Sequence, residues 1–183
     1  DVDGDGLDDM RASATGLRPR RVYLIRGVPR PPAAIDLAVA ESLEEVITFL
    51  GPRDNRALGA LPGDSMASLG DLDGDGFTDF ALALTRYCCP SPGESQDGAT
   101  YIFSGRPDFP SRIDFSALSE DDYSVAIRST HLYTGFGNSL AAGDVNQDGV
   151  ADLVIGAPRV AAGGKSDAGE AYVVYGRRDF PKE

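Results

Sequence analysis

A nine-residue, aspartate-rich segment occurs three times in this 183-residue chain and restricts its fold more than any other feature. The copies, named loop 1, loop 2 and loop 3, are Asp1–Asp9, Asp71–Asp79 and Asp144–Asp152. Their first residues lie 70 and 73 positions apart. Self-similarity at a nearly constant spacing is typical of repeat architectures, in which each repeat is one supersecondary unit. We therefore expect about three copies of one structural unit.

A second landmark repeats independently of the loops. Gly105–Pro110 (GRPDFP) recurs 71 residues later as Gly176–Pro181 (GRRDFP). The strand-like residues before this landmark recur as well, at Val22–Gly27, Thr100–Gly105 and Ala171–Gly176. Two landmarks in the same order and at similar spacing indicate a true internal repeat.

Each unit has the pattern of a four-stranded antiparallel sheet. Strand one leads into the loop, most clearly at Asn138–Gly143, and the loop makes the turn. Strand two leaves it as a short apolar run, Phe80–Leu84 or Leu153–Ile155, which suits a strand buried on both faces. Strand three is the tyrosine-containing segment, rich in β-branched and aromatic residues. Strand four is expected at Glu45–Leu50 and Tyr123–Ser129.

Repeated sheets that are buried on both faces pack best as the blades of a β-propeller. The predicted fold class is therefore all-β, a partial propeller of about 2.5–3 four-stranded blades. The predicted ranges are 1–52 for an incomplete first blade, 53–131 for the second, and 132–183 for a third that is incomplete at its C-terminal end. Because propellers need about 4–8 blades to close, we expect a larger ring or closure by association. Ala33–Leu43 has an ambiguous pattern that allows a short helix.

The oxygen-bearing side chains of each loop are spaced as in a calcium site. Positions 1, 3 and 5 lie on one side of a tightly wound backbone, and glycine at position 6 permits the turn. The carbonyl of position 7 can point inward, and the carboxylate of position 9 closes the cage. Such hard oxygens suit Ca²⁺, which takes about 6–8 of them. Up to three Ca²⁺ ions are expected, with the ligands Asp1, Asp3, Asp5, Leu7 and Asp9; Asp71, Asp73, Asp75, Phe77 and Asp79; and Asp144, Asn146, Asp148, Val150 and Asp152.

The acidity of the chain is concentrated in these loops. The net charge is −12, and 11 of the 29 acidic residues occupy loop positions 1, 3, 5 and 9. The charge disfavours nucleic acid or an anionic membrane as a partner. No apolar run approaches the roughly 20 residues that span a bilayer, so membrane insertion is not expected.

A helical EF-hand is excluded by the ligand positions. An EF-hand places a bidentate Glu at position 12, whereas position 12 is Ala12, Leu82 and Ile155 here. The acid comes at position 9, and a strand-like segment follows it. The loops therefore join strands.

The third unit resembles an FG-GAP repeat, the blade unit of integrin α-chain propellers and of many bacterial surface proteins. It carries both signatures, Phe136–Gly137 before loop 3 and Gly156–Pro158 after it. The second unit departs from the FG-GAP pattern, with Pro62–Gly63 in place of FG and Ala83–Thr85 in place of GAP. Asn-x-Ser/Thr sequons are absent from the sequence, which favours a bacterial member over an animal integrin.

The resemblance implies a calcium-stabilised module that is extracellular or at the cell surface, secreted or periplasmic. It implies binding or adhesion by the propeller face, with a protein or glycan ligand or with neighbouring subunits. Two alternatives remain open: a structural or assembly subunit of a surface complex, and a non-catalytic propeller of a larger secreted enzyme. The adjacent Cys88 and Cys89 could be reduced, paired outside this segment, or joined to each other.

An esterase interpretation starts from Gly63–Met66, which is similar to the nucleophile block of GDSL-type esterases. The repeat offers another explanation, since this segment aligns with Gly137–Leu140 before the next loop. The only histidine, His131, has Arg128 three residues before it rather than an aspartate. We therefore expect no enzymatic activity.

Overall fold

The computed structural model describes residues 1–14, 21–51, 62–85, 98–131, 134–161 and 163–177. Eleven strands and two single-turn 3-10 helices form in this part of the chain. The strands are β1 Met10–Ala14, β2 Arg21–Ile25, β3 Val46–Leu50, β4 Pro62–Gly70, β5 Asp79–Leu84, β6 Ala99–Phe103, β7 Arg112–Asp114, β8 Val125–Arg128, β9 Ser139–Gly143, β10 Asp152–Ala157 and β11 Glu170–Val174.

The helical content is confined to Ala40–Ser42 and Glu120–Asp122. Of the segment Ala33–Leu43, for which a short helix was possible, only the turn at Ala40–Ser42 forms. Within the ranges given above, no helix is long and apolar enough to cross a membrane.

The strands form three sheets, here named blade 1, blade 2 and blade 3. Blade 1 has the order β1-β2-β3-β7, blade 2 the order β4-β5-β6-β8, and blade 3 the order β9-β10-β11. Neighbouring strands are antiparallel except β3 and β7, which are parallel. The prediction of an all-β fold built from propeller-type blades is confirmed.

Strand β7 is an addition that the repeat does not predict. It lies within the range 53–131 expected for the second blade, but it pairs with β3 of blade 1. The backbone N–H of Thr48 donates to the carbonyl of Ser111 at 2.9 Å, and the N–H of Phe115 donates to the carbonyl of Leu50 at 2.9 Å. Because every residue of β3 is buried, its outer edge needs a partner for its backbone groups. The division of the chain into the three sequence ranges stays a prediction.

The hydrophobic core lies between the blades. Between blades 1 and 2 the core is aromatic: the rings of Phe49 and Phe103 lie 5.3 Å apart at their centroids, and those of Phe80 and Phe103 stack at 5.2 Å. Each aromatic pair adds about 0.5–1.5 kcal/mol beyond its buried area. Between blades 2 and 3 the core is aliphatic, with the buried residues Ala67, Leu69, Leu72, Ala81, Ile102, Phe136, Val150, Leu153, Ile155 and Ala157.

Candidate metal centre

The three loops share one pattern of side-chain to backbone hydrogen bonds, best described for loop 2. Asp71 Oδ2 accepts the N–H of Gly76 at 3.1 Å, and Asp73 Oδ1 accepts the N–H of Asp75 at 3.2 Å. Asp75 Oδ1 accepts the N–H of Phe77 at 2.9 Å. The corresponding bonds in loops 1 and 3 measure between 2.8 and 3.3 Å. The side chains at positions 1, 3 and 5 therefore stabilise the tightly turned backbone of the loop.

Glycine at position 6 is required by the backbone conformation. Gly6, Gly76 and Gly149 have φ values of 87°, 95° and 86°, in the left-handed region where a side chain is strained. Position 4 is also left-handed, with glycine in loops 1 and 2, but loop 3 holds Gln147 there at φ 63°. Loop 3 therefore carries backbone strain that the other two loops avoid.

The aspartate at position 9 ties the loop to strand three of its own blade. Asp79 Oδ2 accepts the N–H of Leu72 at 2.7 Å, and Asp79 Oδ1 accepts the N–H of Gly105 at 2.9 Å. Loops 1 and 3 repeat both bonds, Asp9 with Val2 at 2.6 Å and Gly27 at 2.7 Å, and Asp152 with Val145 at 2.8 Å and Gly176 at 2.9 Å. We call this arrangement the position-9 clamp. Sequence reasoning gave position 9 only the role of a ligand.

The glycine of the clamp is needed because the loop lies against it. A Cβ at Gly105 would lie 2.7 Å from both the Thr78 carbonyl oxygen and the Phe77 Cβ. The Cβ positions of Gly27 and Gly176 are blocked by loop atoms in the same way. The recurrence of this glycine after strand three was the sequence signal for the clamp.

Carboxylate oxygens converge in two of the loops. One oxygen each from Asp71, Asp73 and Asp79 lie within 4.8 Å of one another, and the same holds for Asp1, Asp3 and Asp9. In loop 3 the amide of Asn146 replaces the acid at position 3, and its Nδ2 donates to Asp148 Oδ2 at 2.8 Å. The position-5 aspartates, Asp5 and Asp75, bond the N–H of position 7.

Two aspartates of loop 2 have raised pKa values, because their ionised forms are disfavoured by burial and by neighbouring carboxylates. Asp79 is only 1% exposed. Burial raises the pKa of Asp79 to about 6, and the neighbouring charges of Asp73 and Asp75 add to the rise. The pKa of Asp75 is also raised, first by desolvation and further by Asp73 and Asp71. In loop 1, Asp1 Oδ1 is buried without a hydrogen-bond partner. The all-oxygen ligand sets of these loops fit a hard divalent cation.

Loops 1 and 2 also touch each other. The N–H of Thr78 donates to the carbonyl of Asp1 at 2.9 Å. The Phe77 ring covers Gly4 so closely that a Cβ at Gly4 would overlap it. The two candidate sites are therefore neighbours across the interface of blades 1 and 2.

The two family signatures of the third unit meet in space. The N–H of Gly137 donates to the carbonyl of Gly156 at 3.0 Å, at the corner where the chain enters blade 3. A Cβ at Gly156 would overlap Ser139 Oγ, and Phe136 is buried between blades 2 and 3. Residues 136–174 match the FG-GAP repeat family. These residues are an FG-GAP repeat.

The chain is similar to parts of longer proteins. It is 38% identical to Integrin alpha-5 of Xenopus laevis over 52% of its own length, and 28% identical to Integrin alpha pat-2 of Caenorhabditis briggsae over 100%. It is also 35% identical to a phosphatidylinositol-glycan-specific phospholipase D of Mus musculus over 58% of its length. The chain covers 8%, 14% and 12% of these three relatives, respectively.

The residues of the esterase interpretation have other contacts. Ser65 Oγ accepts the backbone N–H of Leu140 at 2.7 Å and so connects β4 to β9 across the interface of blades 2 and 3. His131 is exposed, and its Nδ1 lies 3.2 Å from Thr130 Oγ1. Cys88 and Cys89 lie outside the described residues.

Proposed function

We propose that this chain is a calcium-stabilised, extracellular FG-GAP propeller segment that binds a protein or glycan ligand. The observation that carries the calcium part is the buried, clamped aspartate of loop 2, whose pKa is raised to about 6 among converging carboxylates. A divalent cation there would favour the ionised form of Asp79, which burial and, to a lesser extent, the neighbouring carboxylates disfavour. The integrin relatives support a binding module.

In this proposal Asp71, Asp73, Asp75 and Asp79, with the carbonyl of Phe77, would hold the ion of loop 2. Their counterparts would do the same in loops 1 and 3. When bound, Ca²⁺ supplies positive charge to a site that has an excess of carboxylates. The hydrogen bonds within each loop hold the ligand side chains in place without the ion. The position-9 clamp fixes the loop to the end of strand three.

Thermal unfolding with and without calcium tests the calcium part. Saturation at 100 times Kd is expected to add about 2.7 kcal/mol for each occupied site. The controls are magnesium at the same concentration and elemental analysis of the dialysed protein. An unchanged melting temperature in chelator, together with no bound calcium, would refute the proposal.

The binding part is tested on immobilised glycans and matrix proteins. We expect the protein to be retained on its ligand only in calcium, because calcium would hold the loops in the one conformation that forms the binding surface. Retention that is equal in calcium and in chelator would argue against a role for the loops in binding. Absence of retention on every surface in calcium would argue against the binding module itself.

A second candidate function, assembly with a further copy, rests on an open face of blade 1. Phe80 and Leu153, which follow loops 2 and 3 directly, are 1% and 3% exposed because the preceding blade covers them. Met10 follows loop 1 in the same way but is 57% exposed. It lines a groove of about 560 Å³ with Val39, which is 50% exposed.

Sedimentation velocity distinguishes this second candidate from the first. Assembly through the groove predicts an association that Met10→Lys weakens and that calcium does not abolish. A single monomeric species at all concentrations would exclude it.

A further inference from the structure

The residue before the clamp glycine differs among the three blades. It is Arg26 in blade 1, Ser104 in blade 2 and Tyr175 in blade 3. The first two reach the same atom of their own loop, Oδ2 of the position-3 aspartate. Arg26 Nε lies 3.5 Å from Asp3 Oδ2, and Ser104 Oγ donates to Asp73 Oδ2 at 3.1 Å. The residue before the clamp glycine therefore places a full positive charge beside loop 1 and a neutral hydroxyl beside loop 2.

The contact of Arg26 with Asp3 is partly shielded from solvent. The two side chains are 25% and 13% exposed. The guanidinium is fixed from a second direction, since Arg26 Nη2 donates to the carbonyl of Phe109 at 3.5 Å. Such a pair is screened less than one on the open surface. The charge of Arg26 therefore acts on loop 1 with more strength than a freely moving surface arginine.

From these contacts we propose that Arg26 is an internal counter-cation of loop 1, so that loop 1 keeps its shape without calcium and binds calcium more weakly than it would with serine there. The inference rests on the proposed calcium function. Asp3 is one of the expected ligands, and a guanidinium beside it competes with the ion for the same carboxylate. Arg26 is a positioning residue here and is not itself a ligand.

The direction of the effect follows from Coulomb's law. In the metal-free loop, the attraction between Arg26 and Asp3 offsets part of the repulsion among Asp1, Asp3 and Asp9. With calcium bound, the same guanidinium would repel the divalent ion that shares Asp3 with it. Removing one unit charge from this position is expected to tighten calcium binding at loop 1 roughly ten-fold.

The matched variants are Arg26→Ser, which gives blade 1 the residue of blade 2, and the reverse change Ser104→Arg. Arg26→Lys keeps the charge and is expected to bind calcium like the wild type. Arg112→Ser is the control for net charge, because Arg112 pairs with Glu41 and Asp114, away from the loops. The backbone nitrogen of Asp1, which lies 4.0 Å from Asp9 Oδ2, is the same in all variants and cancels in the comparison.

Calcium titration followed by amide NMR resolves the loops separately. The N–H groups of Gly6, Gly76 and Gly149 each donate to the position-1 aspartate of their own loop, so each reports on one site. In Arg26→Ser we expect the Gly6 transition at roughly one-tenth of the wild-type calcium concentration, with Gly76 unchanged. In Ser104→Arg the Gly76 transition should move to higher calcium. Raising salt from about 0.05 to about 0.5 M should narrow both differences.

Stability provides a second readout that a purely structural role would not produce. Arg26→Ser is expected to lower the melting temperature of the metal-free protein and to increase the additional stabilisation by calcium. A residue that only packs would lower both melting temperatures equally, and that result would overturn the inference.

The failure of this inference can be separated from the failure of the proposed function. If calcium moves none of the three glycine amides, the calcium function itself is refuted. If calcium moves Gly76 and Gly149 but the Gly6 transition is the same in wild type and Arg26→Ser, only the role of Arg26 is refuted. Should Arg26→Ser fail to fold, an unchanged Gly76 transition in Ser104→Arg would refute it equally.

Discussion

Asp79 is expected to make the metal-free protein less stable as pH rises. Its pKa is about 6 in the folded chain, against an ordinary value of 3.8. Between these values the folded state binds more protons than the unfolded state, so the free energy of unfolding falls with rising pH. One pKa unit corresponds to about 1.36 kcal/mol, and the full difference is therefore worth about 3 kcal/mol. The contribution is complete below pH 3.8 and lost above about 6.

Urea unfolding of chelator-washed protein at several values from pH 4 to pH 7.5 measures this loss. Asp79→Asn is the comparison, since it does not titrate. Its NH2 group replaces one of the two carboxylate oxygens that accept from Leu72 and Gly105. The variant is therefore expected to be less stable at every pH, and only the pH dependence of the free energy of unfolding is compared. Saturating calcium should remove or reverse the wild-type slope, because the ion binds the ionised form.

Between pH 4 and pH 7.5 the free energy of unfolding of the wild type should fall by about 2.4 kcal/mol more than that of Asp79→Asn, because at pH 4 the unfolded Asp79 is already half ionised. Equal slopes in calcium-free buffer would show that the desolvation of Asp79 is offset by other contacts, and the reasoning would then fail. A slope of the opposite sign would mean that the folded protein holds this carboxylate ionised without a metal.

Three further changes test other parts of the fold. Gln147→Gly should stabilise the chain by about 0.5–1 kcal/mol in urea unfolding, because glycine adopts the left-handed backbone conformation at this position without strain. Gly74→Gln should destabilise it by a similar amount, and stabilisation by Gly74→Gln would contradict this reasoning. Gly105→Ala should cost about 2–4 kcal/mol by forcing the loop away from strand three, and a melting temperature equal to wild type would disprove the close packing. Ile113→Ala should cost about 2–4 kcal/mol, with Ile35→Ala, on a partly buried side chain, as a milder control.

The strands and loops were predictable because their signals are local. Phe80–Leu84 is a short apolar run after a loop, and it forms most of β5 as expected. Aspartates at alternate positions followed by glycine at position 6 specify a wound turn through bonds that span two to five residues. Such patterns lie within one short window of sequence.

The remaining features depend on contacts between distant residues. The clamp glycine Gly105 lies 26 residues after Asp79, and Phe109 lies 83 residues after Arg26. The parallel pairing of β7 with β3 has no sequence signal beyond the single apolar residue Ile113 between the charged residues Arg112 and Asp114. These contacts follow from how blades pack against each other, which a single sequence does not encode in any one window.

The position of β7 has a consequence for how the molecule unfolds. In a simple repeat array each unit contacts only its neighbours, and units can open one after another. Here three residues from the connection between β6 and β8 of blade 2 are hydrogen-bonded into the sheet of blade 1, so the two blades are joined by backbone bonds as well as by side-chain packing. Blades 1 and 2 should therefore unfold as one cooperative unit. Blade 3, held by side-chain packing and the bond from Leu140 to Ser65, should exchange its amide protons first.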